Sequence, residues 1–242
     1  SSSGELGHNV MDHHFRCGAG GRVEGYEDKY VFGRRPTGLY VPRFVNVDGD
    51  TKKRDYVRGF GYQGAASRGR WSGEVAEMSV GGAWKDASLE PGDWGVGFTA
   101  FGEILPYHEN RIFLDKDKKD KWGLPVLSMD MEIKDNEKIM RKDMQEEMKE
   151  MLERVGVKDV YTYDNEYTFG MGIHEMGTAR MGTDAKNSVL NKHNQVWDAL
   201  NVFVTDGAAM TSGACVNPSL TYMALTARAV EYAVSELKKG NL

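Results

Sequence analysis

The stretch from Val202 to Leu242 constrains the fold most tightly. Val202-Phe-Val204 reads as a short apolar strand, Thr205-Asp206-Gly207 turns the chain at its end, and a helix opens near Asn217-Pro218. Asparagine is a favoured N-cap, and proline suits the first helical position, where its missing N–H costs nothing. Leu220, Met223, Ala224, Ala227, Val230, Val234 and Leu237 recur at helical spacing and predict the buried face of that helix, which Lys238, Lys239 and Gly240 close. Asn217 then sits at the positive end of a helix dipole, where free backbone N–H groups stabilise negative charge.

Upstream, Asn136 to Val155 reads as an amphipathic helix with Met140, Met144, Met148, Met151 and Val155 on one stripe and Gly156 placed to end it. Leu127, Met129, Met131 and Ile133 alternate with Ser128, Asp130 and Glu132, the period of a half-buried strand. Together with Ile104-Leu105 and Arg111-Ile-Phe-Leu114 they predict antiparallel strands of one sheet. The run from Asp115 to Lys121 mixes acids with bases and reads as a solvated turn. From Ser1 to about Ala100, glycine gathers in pieces such as Cys17-Gly-Ala-Gly-Gly21 and Val80-Gly-Gly82, which predict long polar loops and short strands. The expected fold class is α+β: a mainly antiparallel sheet with helices on one face, plus the C-terminal strand and helix.

Several functions are disfavoured. With 242 residues, 40% hydrophobic and 28% charged, the chain can bury a sizeable core, but its net charge of −5 and scattered basic residues argue against a nucleic-acid or anionic-membrane surface. No apolar run approaches the roughly 18 residues that span a bilayer. The opening Ser1-Ser-Ser-Gly-Glu5 lacks the regions of a signal peptide and reads as mid-domain sequence, which leaves a soluble protein of the cytoplasm or periplasm open. Cys17 and Cys215 lie far apart and outside any CxxC spacing, and His13-His14 with Cys17 lack a fourth ligand, so no disulfide framework or metal site is expected. His174-Glu175 begins like a zinc-protease helix, but Thr178 stands where the second histidine is needed. His108 and His193 have no supporting pattern. His174 itself lies in a glycine-flanked, weakly charged segment and has the chemistry to accept a hydroxyl proton near neutrality.

Two blocks, Ile173-His-Glu-Met-Gly-Thr-Ala-Arg-Met-Gly182 and Val204-Thr-Asp-Gly-Ala-Ala-Met-Thr-Ser-Gly-Ala-Cys-Val-Asn-Pro-Ser-Leu-Thr221, occur in an order that resembles the C-terminal signature of the glucose-methanol-choline (GMC) flavin oxidoreductases. Glu103 to Asp115 with Trp122-Gly-Leu-Pro125 resembles the substrate-domain sheet of their sugar dehydrogenase branch, and Leu6-Gly-His-Asn-Val-Met-Asp-His13 is similar to the segment after the cofactor-domain core. The resemblance implies FAD as cofactor and a sugar, glycoside, polyol or other alcohol as substrate. His174 would be the base that takes the hydroxyl proton while hydride passes to flavin N5, and Asn217 the partner that hydrogen-bonds the substrate oxygen. Asp206 and Gly207 would approach the FAD diphosphate and ribityl region, with Pro218 and Thr221 at the flavin ring and helix start.

The family opens on a glycine-rich dinucleotide fold, and Gly18-Ala-Gly20-Gly-Arg-Val23 fails that pattern at its third glycine. The chain is therefore expected to be a C-terminal portion, with residues 1–169 forming a substrate-binding domain with linkers and 170–242 completing a Rossmann-like FAD domain and active site. Its partner would be the N-terminal FAD-binding half, and its electron acceptor a quinone or cytochrome, or oxygen. Alone it should bind FAD poorly, turn nothing over and expose apolar surface. The competing expectation is a non-catalytic carbohydrate-binding or subunit-docking protein, stacking sugars on Trp71, Trp84, Trp94 and Tyr107.

Overall fold

The computed structural model describes residues 1–29, 38–52, 55–68, 82 and 92–242. Its centre is an antiparallel sheet of β2 (Cys17–Val23), β3 (Leu39–Val41), β4 (Phe60–Arg68), β5 (Trp94–Glu103) and β8 (Lys158–Asp164), ordered β3-β4-β5-β2-β8, with β1 (His13–His14) paired to the end of β5. Cys17-Gly-Ala-Gly-Gly21 thus lies in a long strand rather than a polar loop, while Val80 and Gly81 fall outside the described residues. Glycine is required there because neighbouring groups press on the strand: a Cβ at Gly18 would fall 2.0 Å from the Phe98 carbonyl oxygen, and one at Gly102 would fall 2.3 Å from His14 Nε2.

Helix α1 (Asp135–Arg154) lies across one face of this sheet. Met140, Met144, Met148 and Leu152 pack with Cys17, Ala19, Phe60 and Tyr62 in the main core, and the Tyr62 hydroxyl donates to the Met144 carbonyl at 2.8 Å. The methionine stripe is where periodicity predicted it, except that Val155 falls beyond the last turn and is 76% exposed, because Gly156, with φ of 86°, reverses the chain. The buried Arg141 guanidinium ties the helix to Asp164 and to the Phe15 and Asn165 carbonyls. Glu137 caps the helix start by accepting from Lys134 N at 3.0 Å, and it also accepts from the Tyr107 hydroxyl.

The strands β6 (Arg111–Lys119) and β7 (Pro125–Asp130) pair as a separate two-stranded hairpin, whereas Ile104 and Leu105 follow β5. One common sheet was the expectation, and it is corrected: the charge run belongs largely to β6, the turn lies at 120–124, and β7 ends at Asp130. Leu127 and Met129 are exposed, because among the described residues no second layer covers this hairpin.

In the C-terminal region β9 (Gln195–Val196) and β10 (Ala199–Phe203) form a short hairpin beside a small core of Ala179, Val189, Leu190 and Ala209. Helix α2 (Ser219–Lys238) packs on this region through Thr226, which donates to the Thr205 carbonyl, through Ala229, and through Tyr232, stacked on His193 at 3.8 Å. The predicted buried face is corrected: Leu220, Met223, Ala224, Ala227, Val230, Val234 and Leu237 point outward, with Leu220 78% exposed. The helix has turned its polar and small residues to the chain and left its apolar stripe uncovered among the described residues.

Candidate active site

The segment 167–177 is held by one buried carboxylate. Asp12 accepts from the N–H groups of His13 at 2.7 Å, Gly170 and Gly172 at 3.2 Å and His174 at 3.3 Å, and from the Tyr167 hydroxyl at 2.9 Å. Charge-assisted bonds of this kind are about twice as strong as neutral ones. An antiparallel bridge between Met11 and Met176 fastens the other end of the loop. Ile173 takes a φ of 53°, uncommon for a β-branched residue, and its side chain is 78% exposed while His174 beside it turns inward.

His174 is half-buried, and its Nδ1 lies 2.8 Å from Nδ1 of His13, the two rings meeting edge-on. Its Nε2 has no hydrogen bond among the described residues. Burial, and then the neighbouring His174, hold the pKa of His13 below the usual histidine range, so His13 is neutral near pH 7. His14 is fully buried and pushed down to about 3, first by desolvation and then by Arg141.

Asp206 caps a 3₁₀ turn by accepting from Ala208 N at 2.9 Å, and Gly207 lies directly beneath the His174 loop: its carbonyl accepts from Gly177 N, and a Cβ there would fall 2.5 Å from the Glu175 oxygen. Asn217 is exposed and does not cap α2. The cap position is Pro218, which is already in the helical region, and the Asn217 side-chain oxygen Oδ1 accepts instead from Gln63 Nε2 at 3.4 Å. The cap has no side-chain hydrogen bond, so the first N–H groups of α2 lack such a partner, and Thr221 is exposed on its first turn. Asn217 borders a cleft of about 490 Å³ lined also by Leu39, Tyr40, Gln63 and Val216.

Sequence reasoning does not single out Asp12 or Gln63 as candidate site residues and considers His13 only as a metal ligand, although Asn-Val-Met-Asp-His13 carries the signal for the first and the last of these. Of the aromatic residues proposed to stack sugars, Trp71 and Trp84 lie outside the described residues, Trp94 belongs to β5, and the Tyr107 hydroxyl is engaged by Glu137.

Residues 106–226 match the family model described as GMC oxidoreductase. The chain is 34% identical over 242 aligned residues to the 2-methyl-1,2-propanediol dehydrogenase of Mycolicibacterium austroafricanum, an alignment covering 96% of this chain and 42% of that protein. It is 27% identical to the fructose dehydrogenase large subunit of Gluconobacter japonicus, over 99% of this chain and 43% of that one. With the gluconate 2-dehydrogenase flavoprotein of Pantoea cypripedii it shares 31% identity over 60% of this chain and 25% of that protein. The chain belongs to the GMC oxidoreductase family. It spans about two-fifths of the length of the first two of these relatives.

Proposed function

We propose that this chain provides the substrate-binding side and the catalytic base of an FAD-dependent oxidoreductase acting on a hydroxyl of a sugar, glycoside or polyol. In this reading residues 1–169 form the substrate-binding domain, and 170–242 complete an FAD domain whose remainder is an N-terminal half of the same enzyme. What carries the reading is His174, anchored at its backbone by Asp12 and at Nδ1 by His13, with Nε2 left open.

The chain's own residues fit the cofactor. The first N–H groups of α2 have no side-chain cap, Gly207 brings backbone close under the His174 loop, and the outward apolar stripe of α2 suits cover by a second half. Asp206 and Gly207 would hold FAD at its diphosphate and ribityl portion, and Asn217, Pro218 and Thr221 at the ring. When bound, FAD supplies the acceptor for the hydride leaving the carbinol carbon.

His174 Nε2 takes the hydroxyl proton, and the Asn217 amide donates to the same oxygen, orienting it for that transfer. The first three relatives are named dehydrogenases, which favours a dehydrogenase over an oxidase, and the final acceptor proposed for it is a quinone or cytochrome. In the flavin-loaded enzyme, His174→Ala should reduce turnover about 10²–10⁴-fold, the usual worth of a positioned base, and Asn217→Ala should reduce it too. A non-catalytic sugar binder would lose little in either variant, and unchanged turnover would refute the assignment.

A further inference from the structure

We infer that His13 is a positioning residue that fixes the tautomer of His174, through the hydrogen bond between their two Nδ1 atoms. This deepens the proposed function and rests on His174 being its base. His13 stands in β1, locked in register opposite Glu103 and 1% exposed. The 2.8 Å approach of its Nδ1 to that of His174 leaves room for one proton between the two rings.

The open edge of His174 says which ring supplies that proton. His13 Nε2 is buried without a hydrogen-bond partner, whereas the unbonded Nε2 of half-buried His174 is the atom left for a substrate. A base presents a lone pair there, so the hydrogen of His174 sits on Nδ1 and that of His13 on Nε2, leaving His13 Nδ1 its lone pair. His174 must then donate its own Nδ1–H to His13, which leaves the Nε2 lone pair open, the arrangement a base requires. The opposite order would turn an N–H toward the substrate hydroxyl. Because burial keeps His13 neutral, it continues to accept this bond after His174 Nε2 has gained a proton.

Long-range ¹H–¹⁵N NMR of the full chain with ring-labelled histidine reads the tautomer directly. The native chain should hold the His174 proton on Nδ1. So should His13→Asn, whose side-chain oxygen can occupy the place of Nδ1, whereas His13→Leu should shift the proton to Nε2. A native His174 protonated on Nε2, or a tautomer unmoved in His13→Leu, would overturn the inference. If the leucine variant does not fold, the native chain and His13→Asn still decide it.

In the flavin-loaded enzyme His13→Leu should lower kcat about 10²-fold with KM little changed, and His13→Asn should recover most of that loss. Tautomers that behave as expected while His174→Ala leaves turnover intact would sink the functional reading and not the hydrogen-bond order. An inactive His174→Ala enzyme with indifferent tautomers would do the reverse.

Discussion

Asp12 is the residue on which the site's backbone depends, since its carboxylate receives N–H groups from both histidine segments and the hydroxyl of Tyr167. Replacing it with asparagine turns part of that acceptor into a donor facing other donors. Asp12→Asn should cost about 2–3 kcal/mol in urea unfolding, and a change within about 0.5 kcal/mol would show that the loop is held by something else. His14 sets an acid limit. Its folded pKa of about 3 lies below its ordinary 6.5, so the unfolded chain binds a proton that the folded chain refuses. Stability is therefore full above pH 6.5 and is lost as pH falls toward 3. His14→Leu removes two buried ring nitrogens without partners and should flatten that limb by up to about 1.4 kcal/mol per pH unit; an unchanged slope would contradict the assignment.

At the scale of elements, α1 was legible because a methionine stripe with a glycine stop specifies both a helix and its buried face. Helix α2 was legible as a helix and illegible in orientation, since an apolar stripe records that a face is to be covered and not by what. The strands β2, β4 and β5 were hidden because glycine carries no hydrophobic period, and their glycines answer close approaches visible only once the strands are paired. His174 and Asn217 stood out in local sequence. The His13–His174 pair did not, because its members are 161 residues apart in the chain. The exposed stripe of α2 has a direct consequence: the chain alone should self-associate with rising concentration, and Leu220→Glu with Met223→Lys should restore a monomer in light scattering without lowering thermal stability. A native chain that stays monomeric at high concentration would contradict the open-face account.

For the whole molecule, the six-stranded sheet with α1 forms one body, and the C-terminal region docks against it through the Met11–Met176 bridge and the Asp12 bonds. Among the described residues no helix is long and apolar enough to cross a membrane. The most direct measurement is anaerobic stopped-flow reduction of the flavin-loaded enzyme by a sugar or polyol, with the His174→Ala enzyme alongside. The account predicts a flavin band that bleaches rapidly in the native enzyme and about 10²–10⁴-fold more slowly in the variant with its flavin retained. Equal bleaching rates in the two would contradict it.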